Sequence, residues 1–300
     1  MGPLWGIDLG GTKIEGIVLD SPDTMNVLCR MRVPTEANKG YPHILRQIQK
    51  LVETMMSEVG MRPSHIGIGT PGSLDPQTQT LKNSNTICLN GQPFLRDIEA
   101  VLKTPVRIAN DANCFALAET RWGAVRTHMP DARVVFGVIM GTGVGGGIVV
   151  DGKVLHGHQG IAGEWGHNFL DASGGPCYCG RSGCVETILS GPALEKFYAQ
   201  QCSVQRSLKD IVARAYKGTD PTADATIDRL VHFFGKAIAY VINILDPDAI
   251  VLGGGLSQID ILYERGAEEA ALYVFNTHMN TAFLRPALGD SAGVFGAALL

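Results

Sequence analysis

The sequence predicts an α/β protein of two lobes with a central cleft, built from a duplicated fold. Two stretches about 130 residues apart share one plan of apolar strand, glycine-rich turn and second apolar strand; they read LWGIDLGGTKIEGIVLD and VVFGVIMGTGVGGGIVVDGK. Along the rest of the chain, strand-like and helix-like hydrophobic patterns alternate, which is typical of α/β architecture. The 300 residues also exceed what one hydrophobic core usually spans, so two domains are expected.

The two duplicated stretches each predict a β-hairpin with glycine and threonine at its turn, at Gly10–Thr12 and at Gly141–Gly143. Because glycine lacks a Cβ atom, the backbone N–H groups of such a turn can approach an anion closely. A single turn of this kind would be an ordinary hairpin turn, but its recurrence indicates a phosphate site. The dinucleotide fingerprint and the P-loop are excluded, because both must lead into a helix and these turns lead into strands.

The elements between and after the hairpins follow from hydrophobic periodicity. A helix is predicted around Ile44–Met55, a strand in HIGIGTPG, and a strand ending at Ala109 before a helix that begins near Asp111. A long apolar stripe from Ile227 to Leu245 predicts another helix, followed by a strand and glycine turn in DPDAIVLGGGLS. We place the lobes at residues 1–117 and 118–300, with the last helix able to pack back on the first lobe.

Composition excludes several classes of partner. The net charge of −4 and the pI near 6.1 offer no basic patch for nucleic acid or for an anionic membrane. The N-terminus lacks the basic and apolar regions of a signal peptide, and no apolar run approaches the roughly 18 residues of a spanning helix. The chain is therefore expected in the cytoplasm, with a small-molecule ligand.

The cysteines point to a metal. Of seven cysteines, three cluster near a histidine in the stretch EWGHNFLDASGGPCYCGRSGCVE, and the odd count does not suit a secreted disulfide framework. A redox disulfide would need Cys-x-x-Cys, and no single cysteine stands apart with a base as a catalytic thiol would. The alternative is that the cysteines are structural bystanders. We predict a structural zinc site with four ligands: His167, Cys177, Cys179 and Cys184.

Four carboxylates are candidates for chemistry. Asp111 follows a strand and either caps the next helix or, at a strand end where ligands bind in α/β sheets, accepts the proton of an attacking hydroxyl. Asp8 ends the first strand beside the first turn and could hold Mg²⁺ through water. Glu164 and Glu186 bracket the metal stretch; a folded zinc site would bring them near His167, where they could bind the vicinal hydroxyls of a sugar.

These motifs together resemble the ROK family of sugar kinases and repressors, within the hexokinase, Hsp70 and actin superfamily. The resemblance covers nearly the whole chain, through DLGGTK, GTPGSLD, NDANCFALAE, GTGVGGG, GEWGH, CYCGRSGCVE and LGGGLS. It implies the duplicated actin-like (ribonuclease H-like) ATPase fold, ATP and Mg²⁺ as cosubstrates, a structural Zn²⁺, and phosphoryl transfer to a hexose, usually at O6. A homodimer is implied by the resemblance alone.

The resemblance also assigns roles to residues. It makes Asp111 the general base. It places on the sugar side Gly72, Asn85, Asn110, Glu164, His167 and Glu186, with His167 also on zinc. It places at the nucleotide Asp8, Gly10, Gly11, Thr12, Lys13, Gly141, Thr142 and Gly143, with Gly253, Gly254 and Gly255 near the adenosine.

Within the family, LKNSNTICLNGQPF and AGEWGHN look most like the fructokinase and mannokinase branch. Fructose is therefore the predicted acceptor, with mannose or glucose also possible substrates of that branch. N-acetylglucosamine kinase and glucokinase are the alternatives, and a non-catalytic sugar sensor is the alternative of another class. Family repressors carry an extra N-terminal DNA-binding domain, whereas here the phosphate strand begins by residue 4.

Overall fold

The computed structural model describes residues 2–300 and contains two five-stranded mixed sheets with helices packed on them. Its strands are β1 Leu4–Leu9, β2 Lys13–Leu19, β3 Val27–Pro34, β4 Ile66–Thr70, β5 Ser73–Leu74, β6 Leu81–Lys82, β7 Val106–Asn110, β8 Val134–Met140, β9 Val144–Val150, β10 Lys153–Val154, β11 Ala249–Gly253 and β12 Ala282–Leu284. Its helices are α1 Tyr41–Val59, α2 Phe94–Leu102, α3 Asp111–Arg121, α4 Ala124–His128, α5 Glu186–Leu189, α6 Gly191–Cys202, α7 Leu208–Tyr216, α8 Pro221–Leu245, α9 Arg265–Ala271 and α10 Ala292–Ala298.

The first sheet has the strand order β3-β2-β1-β4-β7. Strands β1, β2 and β3 form an antiparallel meander, with Leu9 opposite Ile14 at the first turn. Strand β4 pairs in parallel with β1 on one side and with β7 on the other. The carboxyl ends of three parallel strands therefore meet at one edge of this sheet, which is where ligands bind in sheets of this kind.

The second sheet repeats this plan with the order β10-β9-β8-β11-β12. Strands β9 and β10 are antiparallel, and β11 pairs in parallel with both β8 and β12. Both sheets thus consist of an antiparallel meander followed by two parallel strands. The predicted duplication is confirmed.

Helices cover both faces of the first sheet. On one face, the predicted apolar positions of α1 are all buried, and they are Ile44, Ile48, Leu51, Val52 and Met55. On the other face α10 packs against β1 and β4. Gly6 and Gly67 permit this close packing, because a Cβ atom at Gly6 would lie 2.5 Å from the backbone nitrogen of Ala298, and one at Gly67 would collide with the carbonyl of Ala297.

The chain divides into two compact units. The first comprises the chain up to Thr127 together with Gly147–Ala162 and Leu288–Leu300, and the second comprises His128–Gly146 and Gly163–Ala287. The boundary that we placed after residue 117 falls inside α3, whose residues all belong to the first unit, and an unbroken helix does not mark a domain limit. Within residues 2–300, no helix combines the length and the apolar character needed to cross a bilayer.

Candidate active site and metal centre

In the first unit, the edge formed by the carboxyl ends of β1, β4 and β7 gathers polar site residues. Asp8 lies next to the end of β1, Gly72 follows β4, and Asn110 ends β7. The side-chain amide of Asn110 donates a hydrogen bond of 3.1 Å to the carbonyl of Gly72. Gly72 has a φ of +81°, which favours glycine, and a Cβ atom there would collide with the carbonyl of Lys82.

Asp111 is the first residue of α3, and the residue that caps this helix is Asn110. The side-chain oxygen of Asn110 accepts a hydrogen bond of 2.9 Å from the backbone N–H of Ala112. Asp111 also accepts from this N–H, at 2.8 Å. Since the neighbouring asparagine already fills the cap position, capping alone does not account for a carboxylate at residue 111.

Asp8 is half-buried, and its carboxyl lies within the electrostatic influence of two other acids. Burial, followed by the negative charges of Asp111 and Glu15, raises the pKa of Asp8 to about 6, while Lys13 acts in the opposite direction. A cation at this position would relieve the repulsion. Mg²⁺ prefers oxygen ligands, and the carboxylate oxygens of Asp8, with the charge of Asp111 nearby, are donors of this kind.

The first turn, Gly10–Thr12, is held by Thr35 at the start of the next segment. The buried Thr35 hydroxyl donates a 2.6 Å hydrogen bond to the carbonyl of Gly10, and its backbone N–H donates to the carbonyl of Thr12 at 3.0 Å. A Cβ atom on Gly11 would be 3.4 Å from the hydroxyl of Thr86. The loop that carries the exposed Asn85 therefore runs beside this turn.

Lys13 follows the first turn and is tied to a buried carboxylate. Its ammonium lies 3.5 Å from Glu15, whose side chain is 1% exposed and also pairs with Arg30 and Arg32. The hydrogen bonds and charges of these arginines outweigh burial and lower the pKa of Glu15. The ionised Glu15 thus holds three cations on the strands beside the phosphate turn.

In the second unit, the turn Gly141–Gly143 lies beside the glycines at the end of β11. The backbone N–H of Gly191 donates a 2.8 Å hydrogen bond to the carbonyl of Gly141. A Cβ atom on Gly141 would be 3.9 Å from the nitrogen of Gly255, so the two turns are neighbours. Gly254 has a φ of +75°, and a Cβ atom there would collide with the carbonyl of Met140. The predicted phosphate turn and the predicted adenosine glycines, Gly253–Gly255, therefore come together.

Glu186 is in contact with this second turn. One oxygen of its carboxylate accepts a 2.9 Å hydrogen bond from the backbone N–H of Val144. A Cβ atom on Gly143 would lie only 2.6 Å from the same oxygen. Only glycine at residue 143 leaves room for this carboxylate, whose second oxygen is not used in that bond.

The predicted metal ligands converge. The ligand atoms of His167, Cys177, Cys179 and Cys184 all lie within 4.8 Å of one another. The Sγ atoms of Cys179 and Cys184 are 3.6 Å apart, and the Sγ of Cys177 is 3.7 Å from Nδ1 of His167. In a tetrahedral site with zinc–sulfur bonds of about 2.3 Å, neighbouring sulfurs lie about 3.8 Å apart. Both spacing and donor set fit zinc, with Nδ1 as the nitrogen on the metal side.

Two carboxylates flank the metal loop, Glu164 before it and Glu186 at the start of α5. Burial, and then the negative charge of Glu186, raise the pKa of Glu164, whereas His167 acts to lower it. Glu164 is therefore close enough to His167 and to Glu186 for the charge of each to act on it. The predicted site residues form two sets, one in each unit.

Sequence reasoning missed two residues at these sites. Thr35 holds the first turn from 25 residues away, and nothing local to Thr35 indicates this partner. Tyr178 lies between two predicted ligand cysteines, and its hydroxyl is 3.0 Å from Nε2 of His167. A large aromatic residue within an otherwise glycine-rich metal loop is a signal that could have identified it.

Comparison with known proteins agrees with this geometry. The family model described as "ROK family" matches residues 4–300. The N-acetyl-D-glucosamine kinase of Yersinia pseudotuberculosis serotype O:1b is 34% identical over 306 residues, which span 99% of this chain and 98% of that protein.

Two solved structures show the same fold. A ROK hexokinase from Thermus thermophilus matches with a TM-score of 0.87 and 32% identity, covering 99% of this chain and 97% of that chain. A ROK family glucokinase from Streptomyces griseus, solved in complex with glucose and AMPPNP, matches with a TM-score of 0.78 and 28% identity, covering 99% and 98%. The predicted actin-like ATPase fold is confirmed.

Proposed function

This chain belongs to the ROK family and is an ATP-dependent sugar kinase, and from that premise we propose that it transfers the γ-phosphoryl group of ATP to the 6-hydroxyl of a hexose. The observation that carries the proposal is that each unit has a glycine turn directly after its first parallel strand. In the first unit, Asp111 lies at the same edge of the sheet as that turn. Phosphoryl transfer needs anion-binding turns and a base, and little other covalent chemistry from the protein.

Asp111 acts as the general base in this proposal. Its carboxylate accepts the proton of the 6-hydroxyl as that oxygen forms a bond to the γ-phosphorus and the bond to the bridging oxygen breaks, releasing ADP. Its position at the start of α3, with Asn110 as the cap, leaves the helix intact whether or not Asp111 is protonated. Asn110, Asn85 and Gly72 would contact the sugar from the first unit.

The turns Gly10–Thr12 and Gly141–Gly143 would bind phosphate oxygens through their backbone N–H groups. Lys13 adds a cation beside the first of them, and Thr142 a hydroxyl at the second. Gly253–Gly255, which adjoin the second turn, would accommodate the adenosine. Asp8 would hold a hydrated Mg²⁺, which when bound neutralises charge on the phosphates.

The sugar side of the second unit consists of Glu164, His167 and Glu186. Glu186 uses one carboxylate oxygen for the backbone of Val144, so its other oxygen can accept from a sugar hydroxyl. Burial raises the pKa of Glu164, so this carboxyl keeps its proton to higher pH than an exposed glutamate does; the protonated form can donate a hydrogen bond as well as accept one. Together these groups would read a pair of neighbouring hydroxyls.

The cysteine and histidine cluster would hold one structural zinc through four protein ligands, His167, Cys177, Cys179 and Cys184. A closed four-ligand site has no open position for substrate, which distinguishes a structural from a catalytic zinc. Its contribution is to fix the loop that carries the sugar-side residues.

The acceptor best supported by the relatives is N-acetyl-D-glucosamine, since a kinase of that name is 34% identical over nearly the whole chain. Fructose is the second candidate, because LKNSNTICLNGQPF and AGEWGHN resemble the fructokinase and mannokinase branch. A homodimer and a cytoplasmic location remain predictions.

A coupled assay of ADP release over N-acetylglucosamine, fructose, mannose and glucose tests this function. We expect turnover with at least one hexose, and the highest kcat/KM with N-acetylglucosamine. A higher kcat/KM with fructose would move the preference to the second candidate. The absence of ADP release with every hexose would contradict the kinase and favour the non-catalytic sugar sensor.

A further inference from the structure

Tyr178 is an exposed aromatic residue in a constrained position. Its surface is 77% exposed, yet its hydroxyl lies 3.0 Å from Nε2 of His167. The tyrosine ring also meets the imidazole edge-on, with ring centroids 5.2 Å apart and an interplanar angle of 90°. Because Cys177 and Cys179 flank it, metal binding would fix its backbone on both sides. Tyr178 is not one of the four proposed metal ligands and has no role in the function proposed above.

The metal side of His167 determines the direction of this hydrogen bond. Nδ1 faces the thiolates, at 3.7 Å from the Sγ of Cys177. In a neutral imidazole whose one nitrogen binds a metal, the other nitrogen carries the proton. Nε2–H therefore donates to the oxygen of Tyr178. This N–H is also the only donor that His167 has left for a sugar.

The surroundings of the tyrosine hydroxyl are those proposed for the sugar. Both Glu186 and Glu164 act electrostatically on Tyr178. The hydroxyl thus contacts His167 directly and lies within the electrostatic influence of both carboxylates. A phenol hydroxyl is chemically similar to a sugar hydroxyl, because each offers one O–H donor and an accepting oxygen.

We propose that Tyr178 is a positioning residue that covers the sugar-side cluster and occupies Nε2 of His167 until a hydroxyl of the acceptor displaces it. The inference rests on the proposed function. A single N–H serves one acceptor well, so the sugar and Tyr178 compete for it. With most of its surface in solvent, the side chain can rotate away without disturbing the core. A sugar that has no hydroxyl within reach of Nε2 cannot displace the hydroxyl of Tyr178, and it therefore binds more weakly.

The test is the affinity of the zinc-loaded, full-length protein for the four hexoses, measured by calorimetry without ATP, in wild type and in Tyr178→Phe. Removing the hydroxyl removes the competitor, so we expect the dissociation constant of the best hexose to fall by roughly two- to tenfold, the scale of one hydrogen bond. In kinetics with ATP, the change should fall on KM rather than on kcat.

Tyr240→Phe is the matched control, since Tyr240 is a partly exposed tyrosine on α8 of the same unit, and we expect wild-type affinity from it. Zinc content of Tyr178→Phe should equal that of wild type. Unchanged or weaker sugar binding by a zinc-loaded Tyr178→Phe protein would overturn the inference while the kinase function stands. A wild-type protein that neither binds nor phosphorylates any hexose would overturn the proposed function, and this inference with it.

Discussion

The two sheets share one strand plan but differ in the side chains placed at the ends of their strands. In the first, the residue two positions before the glycine turn is Asp8, and in the second it is Ile139. The first unit carries Asp111 after its last parallel strand, whereas the second carries the thiolate cluster in the segment after β10. Each unit therefore has a glycine turn, whereas the proposed base lies only in the first unit and the proposed metal ligands lie only in the second.

The two turns are also held differently. A threonine hydroxyl from a neighbouring segment holds Gly10, while a backbone N–H from Gly191 holds Gly141 and a carboxylate from Glu186 holds the adjacent Val144. The second turn is thus in contact with a proposed sugar ligand. Two turns with the same backbone plan can therefore contact different functional groups, because a single side chain decides what each turn is connected to.

The strongest way to break this comparison is Asp111→Asn. Asparagine keeps the size of the side chain but cannot accept a proton near neutral pH, and Asn110 still caps α3. We expect kcat to fall by roughly 10²-fold or more, with only a modest change in sugar affinity and little change in melting temperature. Steady-state kinetics and thermal unfolding measure these quantities.

Asp224→Asn is the matched control, because Asp224 is an exposed aspartate in the first turn of α8 in the second unit. Its kcat should equal that of wild type. If a stable Asp111→Asn protein retained most of its kcat, the assignment of the base would be wrong.

The metal cluster of the second unit is tested by Cys184→Ser, with Cys202→Ser as its control. Cys184 is a buried member of the four-ligand cluster, whereas the half-buried Cys202 lies at the end of α6, outside that cluster, and its thiol donates to the carbonyls of Tyr198 and Val204. We expect one zinc per chain in wild type and in the control, and loss of zinc with a melting temperature lower by several degrees in Cys184→Ser. Elemental analysis after washing with chelator measures the zinc. A metal-free wild-type protein that is folded and active would refute the site.

Asp8 predicts that the free energy of unfolding depends on pH. The corresponding residue of the second unit, Ile139, does not titrate and adds no such dependence. The pKa of Asp8 is raised from 3.8 to about 6, so the folded state binds this proton more firmly than the unfolded chain. The stabilisation is complete below pH 4 and is lost as pH rises through 6, and its size is on the order of 3 kcal/mol.

Asp8→Asn should remove the loss of stability that wild type shows as pH rises through 6. Measured without Mg²⁺, the free energy of unfolding of the variant relative to wild type is expected to increase between pH 4 and pH 6 and then to level off. The exposed Asp131→Asn serves as control and should follow wild type. A constant difference between Asp8→Asn and wild type from pH 4 to pH 8 would show that Asp8 has an ordinary pKa.

The smallest expected effect comes from Thr35→Val, which sharpens the comparison of the two turns. Valine has nearly the shape of threonine but leaves the carbonyl of Gly10 without its 2.6 Å hydrogen bond. We expect a loss of about 1–2 kcal/mol in the free energy of unfolding and a KM for ATP raised a few-fold, with KM for the sugar unchanged. A rise confined to the KM for the sugar would contradict the role of this turn at the phosphates.

Many of the candidate residues could be chosen from the sequence because their signals are local. The spacing of Cys177, Cys179 and Cys184, the repeated glycine turns and the strand-to-helix step at Asp111 all lie within short segments. Such segments obey rules of ligand count, backbone conformation and periodicity that act over a few residues. Short motifs indicate the acceptor less clearly, because they resemble the fructokinase and mannokinase branch while a relative of 34% identity is named an N-acetyl-D-glucosamine kinase.

By itself, the sequence determined the duplication, and it predicted the two glycine turns, the candidate metal ligands and the candidate acids. The tertiary structure decided which of these meet: that β4 lies between β1 and β7, which brings Asp8 and Asn110 to one edge, and that Glu186 reaches Val144 from 42 residues away. The last helix joins the first unit for the same reason, because Gly6 and Gly67 leave room for its backbone. Such long-range pairings depend on sheet register and on the burial of whole faces, and no short stretch of sequence carries that information.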